Sequence, residues 1–118
     1  MMNMKITKFE KNAIEYILKN INAPRKLFFQ LNSIYVASRY FSGRGFFSDF
    51  LMSNNQEKLK CNTEDGKFSC QFTTSVLKYG GGAILLIKNG YLQQLEIYTY
   101  DEPFPENLEE IDFVPYVE

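Results

Sequence analysis

Hydrophobic and polar positions change their period once along this chain. Behind Thr7, the apolar residues Ile14, Ile17, Leu18 and Ile21 follow helical spacing from Glu10 and form one stripe. Lys8, Lys11, Asn12, Glu15 and Lys19 fall largely on the other side. Thr7-Lys8-Phe9-Glu10 has the form of a capping box, in which the hydroxyl and the carboxylate each satisfy a free N–H. The pattern predicts an amphipathic helix over about residues 8–20, ended near Asn20–Pro24. Leu27, Phe28 and Leu31 extend the helical spacing into a second short helix after Pro24.

From Ser33 the period becomes two. Ile34, Val36, Ser38 and Tyr40 alternate with Tyr35, Ala37, Arg39 and Phe41, as on a strand. Ser42-Gly43-Arg44-Gly45 supplies a turn, and Phe46 to Met52 reads as the returning strand. Asp65-Gly66 matches a two-residue type I′ turn, whose positions need positive φ. That turn would set Cys61 opposite Cys70, Leu59 opposite Phe72 and Thr63 opposite Phe68 on an apolar face. Glu64 with Lys67, Asn62 with Ser69 and Lys60 with Gln71 would share the polar one. A third hairpin turns at Asn89-Gly90, between the apolar run Ala83–Ile87 and the partly alternating Tyr91–Tyr100. Gly80-Gly81-Gly82 reads as a flexible lead-in to that run, which looks like a strand covered on both faces. Pro103 and Pro105 end the last strand, Glu106–Glu110 reads as a turn of helix, and Phe113–Val117 as a short edge segment. The expected fold is one α+β domain over residues 1–118. One or two N-terminal helices pack on a twisted antiparallel meander of about five to six strands.

Composition supports a folded core: 45% of the 118 residues are hydrophobic, with 11 Phe, 8 Tyr and no Trp. The net charge of −1 conceals an asymmetry. Residues 1–60 hold ten Lys/Arg against four Asp/Glu, and residues 61–118 hold three against ten. Asp101, Glu102, Glu106, Glu109, Glu110, Asp112 and Glu118 close the chain without a base among them. Such a block is either a solvated tail or a surface for basic partners, and it repels nucleic acid. No segment has the apolar length of a membrane span, and Met1-Met2-Asn3-Met4-Lys5 lacks the apolar stretch of a signal peptide. The expected location is the cytoplasm, where Cys61 and Cys70 would stay thiols. They read first as two small buried side chains, with a redox or metal role as the alternative.

The available chemistry is narrow. Histidine is absent, which removes the usual general base and the commonest metal ligand. Two cysteines without histidine make a poor zinc site. Asp101-Glu102 and Glu109-Glu110 are adjacent pairs, which on a strand point to opposite faces and do not converge on one atom. The glycines around Arg44 and at residues 80–82 lack the following helix that holds a phosphate. The expectation is a binding protein with no catalytic residues, metal or cofactor.

Three segments together resemble small bacterial immunity proteins of toxin–immunity pairs, including those of contact-dependent growth inhibition. They are Ser38-Arg39-Tyr40-Phe41-Ser42-Gly43-Arg44-Gly45-Phe46-Phe47-Ser48-Asp49-Phe50, then Gly81–Leu92, then Leu95-Glu96-Ile97-Tyr98-Thr99-Tyr100-Asp101-Glu102-Pro103-Phe104-Pro105-Glu106. Ile97 and Phe104 depart from that pattern, where similar chains often carry a small residue and Trp. The resemblance implies stoichiometric neutralisation of a cognate toxin C-terminal domain, typically a nuclease with a basic cleft. With the acidic half opposing nucleic acid and no segment of membrane-spanning length, no nucleic-acid or membrane partner is expected, and the expected state is a monomer or weak homodimer. The toxin-binding candidates are the acids Glu96, Asp101, Glu102, Glu106, Glu109, Glu110 and Asp112, with Tyr98, Tyr100 and Phe104 as aromatic anchors. By parity Glu96, Tyr98 and Tyr100 share one strand face, although Glu96 could instead bond a turn. The alternative function is a small non-enzymatic interaction or assembly subunit unrelated to toxins.

Overall fold

A computed structural model describes residues 4–52 and 56–116. Met1–Asn3 of the N-terminal segment, and Val117 and Glu118 of the expected edge and acidic tail, lie outside the described residues. Helix α1 spans Lys8–Asn20 and helix α2 spans Arg25–Gln30. The capping box forms: Thr7 N–H donates to Glu10 Oε1 (2.8 Å), and Glu10 N–H donates to Thr7 Oγ1 (3.1 Å). At the other end Asn22 takes φ 55°, and Ala23 N–H reaches back to the Leu18 carbonyl, closing the helix with a left-handed residue.

Among the described residues six antiparallel strands follow: β1 (Ile34–Phe41), β2 (Gly45–Met52), β3 (Gly66–Thr74), β4 (Leu77–Lys88), β5 (Tyr91–Thr99) and β6 (Asp112–Pro115). They make one sheet in the order β1-β2-β5-β4-β3-β6. Strands β3, β4 and β5 are a meander. The β1–β2 hairpin docks on β5, and β6 returns across the end of the sheet to pair with β3. Both helices cover one face. Ala13, Ile14, Ile17, Leu18 and Leu27 meet Val36, Phe50, Phe72, Ala83, Leu85, Leu95 and Ile97 in the core. A thickness of 20 Å holds these two layers and no third.

Three expectations are corrected. Residues 59–64 do not form a strand, and Asp65-Gly66 does not turn a hairpin. Gln56–Leu59 is one helical turn (α3), and residues 60–65 run on without regular structure. Both sides of β3 are taken, by β4 and β6, and its hairpin with β4 turns at Ser75-Val76 instead. The 60–65 segment braces the Asn89-Gly90 turn: Cys61 N–H donates to the Gly90 carbonyl and Asn89 N–H donates to Asp65 Oδ1. Cys70 therefore faces Ala83 and Pro115, not Cys61. Second, Gly80–Gly82 is no flexible lead-in but part of β4, with all three glycines buried. A Cβ on Gly81 would strike the Phe72 ring, and one on Gly82 would strike the Tyr98 ring. Ile84 and Leu86 are only half-buried, so β4 is not covered on both faces. Third, Glu106–Glu110 makes no helical turn, and Glu110 takes φ 50°.

A bulge between Val36 and Ser38 also shifts the strand parity. Beyond it Arg39 and Phe41 pair with Ser48 and Phe46 on the core side, while Ser38 and Tyr40 turn to the open face. The bulge thus brings Arg39 into the protein, where it meets Glu10 (2.6 Å).

Both cysteines are buried free thiols. Burial raises Cys70 from its ordinary 9.0 to about 12. The unfolded chain releases this proton from about pH 9 while the native state keeps it, so the native state binds more protons in that window. Stability is expected to fall between pH 9 and about 12, by up to about 1.4 kcal/mol per pH unit. Urea midpoints at pH 8 and pH 10.5 check this. In Cys70→Ala the alkaline decline should be shallower, whatever the variant's stability at pH 8.

Candidate partner-binding face

The alternate strand positions that do not enter the core form the second face of the sheet. On β1 and β2 they are Tyr35 opposite Leu51, Ser38 opposite Asp49, and Tyr40 opposite Phe47. Phe47 is followed across the sheet by Glu96 on β5 and Ile84 on β4. One step along, Tyr98 stands between Gly45 and Gly82, and Gln71 comes next on β3. Apart from the buried Gly45 and Gly82, these positions are half-buried or exposed, while their neighbours in sequence are mostly buried in the core. The alternation that builds the core leaves an aromatic face uncovered on the other side.

Its centre is a tyrosine cluster. The Tyr98 ring lies low across Gly82, a position open only because that residue has no side chain. Tyr100 packs edge-on against Tyr98 with centroids 5.5 Å apart, and its hydroxyl accepts a hydrogen bond from Gln71 Nε2 (3.0 Å). The Tyr98 phenol is pushed above its ordinary value by burial first. A hydrogen bond to Tyr100 and the nearby Tyr100, Tyr116 and Glu96 add to that rise. Tyr98 therefore stays a neutral donor throughout the physiological range.

Sequence parity correctly groups Glu96, Tyr98 and Tyr100. Among the described residues Glu96 bonds no turn; its carboxylate lies near Tyr98 on the open face. The remaining candidates belong to the chain crossing from β5 to β6. Asp101 is exposed beside Arg44, which is also exposed, 3.8 Å away, a pairing worth little in water. Glu102 has a structural task, accepting the N–H groups of Lys78 (2.7 Å) and Tyr79 (3.3 Å). Phe104 is turned inward, edge-on against Phe46 at 5.4 Å, and is half-buried. Glu106 lies at a shallow groove of about 280 Å³, lined also by Thr7, Phe9, Phe46 and Ile111. Glu109 and Glu110 are exposed, with the Glu109 carbonyl accepting the Thr74 hydroxyl, and exposed Asp112 opens β6 opposite Thr73.

The candidates thus fall into an aromatic group on the sheet and an acidic group on the crossing segment. Sequence reasoning missed Phe47, Gln71 and Tyr116 in the first group. Phe47 and Gln71 could have been found only by knowing which strands neighbour β5. Among the described residues no cluster of three Asp, Glu or Cys is placed to hold a metal ion. No helix among them is long and apolar enough to cross a membrane. Comparison of the chain with protein-family models, curated proteins and solved structures gives no match.

Proposed function

We propose that this protein is a cytoplasmic bacterial immunity protein that neutralises a cognate toxin domain, a nuclease with a basic cleft, by one-to-one binding. The observation that carries this reading is the crossing segment between β5 and β6. There Asp101, Glu106, Glu109, Glu110 and Asp112 are all exposed, and among the described residues the ion pair these acids make is that of Asp101 with Arg44. An uncompensated acidic edge attracts a basic cleft over several ångströms and speeds encounter. Binding, not turnover, is the activity, so no nucleophile or general base is required.

Co-expression with the product of the adjacent upstream gene tests the proposal. Rescue of growth and co-purification of a stable complex support it; a harmless neighbour, or no complex, sinks it. Reversing Glu106, Glu109 and Glu110 to Lys should slow association on the order of tenfold or more at low ionic strength, with a smaller effect in high salt. Stopped-flow mixing at two salt concentrations measures both. A second reading, a non-enzymatic assembly subunit, draws on the exposed tip of the β1–β2 hairpin. Tyr40 and Phe41 are 67% and 68% exposed there. Binding indifferent to salt, but lost when both are replaced by Ser, would favour it.

A further inference from the structure

The open sheet face carries a carboxylate at its centre that no cation among the described residues pairs. Glu96 is half-buried on β5, directly opposite Phe47 on one side and Ile84 on the other, with Tyr98 two residues on. The ion pairs among the described residues are Glu10 with Arg39 and Asp101 with Arg44; neither involves Glu96. Asp49, on the same face, is already used by Ser38 Oγ (3.0 Å) and Gln94 Nε2 (2.8 Å). A charge set among rings loses part of its hydration, and that loss is recovered when a cation arrives.

The chemistry around Glu96 selects the kind of cation. Tyr98, Tyr100 and Phe47 provide aromatic rings within the same patch, and Tyr116 borders it, 47% exposed. A guanidinium can pair with a carboxylate through two N–H groups while its plane lies on a ring, whereas an ammonium is a strongly hydrated point charge. A nucleic-acid strand would stack on the same rings but would bring phosphates against Glu96 and Asp112. A second copy of the chain, docked through this face about a two-fold axis passing at Glu96, would bring Glu96 against Glu96.

We propose that Glu96, with Tyr98, Tyr100 and Phe47, forms a docking site for an exposed arginine on a basic partner protein. The assignment rests on the binding-protein reading above and names its contact surface: the sheet face anchors, and the acidic crossing segment steers. Gly82 is a positioning residue, because its missing side chain lets Tyr98 lie low beside the carboxylate.

The full chain is titrated with hexa-arginine amide and, separately, hexa-lysine amide, followed by tyrosine emission, which no tryptophan obscures. Hexa-arginine is expected to bind about tenfold more tightly than hexa-lysine. Glu96→Gln, and Gly82→Ala through displacement of the Tyr98 ring, should each weaken it about tenfold. A Glu106→Gln, Glu109→Gln, Glu110→Gln triple variant should retain the arginine preference. Equal affinity for the two peptides, no effect of Glu96→Gln in a folded variant, or dimerisation blocked by Tyr98→Ala in sedimentation would each overturn the site. Co-expression separates this from the immunity reading. If Glu96→Arg still rescues growth as the unmodified protein does, the docking site is wrong and the immunity reading survives. If the unmodified protein rescues nothing, the immunity reading fails, and the Glu96 dependence of peptide binding decides the site by itself.

Discussion

Replacing Glu10 by Ala should destabilise the protein by about 3–5 kcal/mol, the largest effect expected of any polar substitution here. The Glu10 side chain is fully buried. One carboxylate oxygen accepts from Thr7 N–H (2.8 Å) and from the Arg39 guanidinium (2.6 Å), and the other accepts the Ser48 hydroxyl. Arg39 also donates through Nε to Ser48 Oγ (3.1 Å) and lies over the Phe46 ring. Removing the carboxylate leaves a largely buried guanidinium without its anion and also opens the helix cap. Arg39→Met leaves the converse fault, a buried carboxylate without a cation, and should cost a similar amount. The double variant Glu10→Ala, Arg39→Met should cost clearly less than the two single effects combined, because neither charge is then stranded. Urea unfolding of the four proteins measures the cycle. Additive effects would show that the pair does not act as a unit.

Gln30→Leu should cost about 3 kcal/mol or more, although Leu is nearly isosteric and more apolar. Gln30 is fully buried at the end of α2. Its Nε2 donates to the carbonyls of Leu59 (2.8 Å) and Gly90 (2.9 Å), and its Oε1 accepts Leu92 N–H (2.8 Å). One amide thus ties together α2, the end of α3 and the β4–β5 hairpin. Leucine would leave the Leu59 carbonyl and the Leu92 N–H without this partner, while the Gly90 carbonyl keeps Cys61 N–H, at about 1–3 kcal/mol for each group that water cannot reach. Amide hydrogen exchange at Leu92 should accelerate along with the fall in global stability. Unchanged exchange at Leu92, with the urea midpoint also unchanged, would mean that the amide does not hold the hairpin.

Both networks bear on the functional readings. Glu10 and Arg39 belong to the segments that carry charge asymmetry in the sequence, yet they are internal and unavailable to a partner. Because the two charges are opposite and both lie in the basic half, their burial leaves the net charge of that half unchanged. On the proposed reading, steering and anchoring fall on different elements, the crossing segment and the sheet face.

Local physics made much of the fold readable from residues alone. Helix α1, its capping box and its end near Asn20 follow from side chains within a few positions of one another. So do the Ser42–Gly45 hairpin and the Asn89-Gly90 turn, where both residues take positive φ (54° and 82°). The shared face of Glu96 and Tyr98 follows from strand parity. Wherever a segment had to choose between partners, tertiary structure decided. Asp65-Gly66 has the chemistry of a turn, but β4 and β6 claim both edges of β3, and longer ladders outweigh one local preference. Arg39 reads as an exposed strand residue until a bulge reverses its side and Glu10 awaits it across the core. Phe104 reads as an anchor until Phe46 claims it. The sequence by itself determined where the chain turns and which positions alternate, because those depend on neighbours along the backbone. Only the tertiary structure decided which strands meet, which charges are buried together and which aromatic face stays uncovered, because those depend on contacts between residues far apart in the chain.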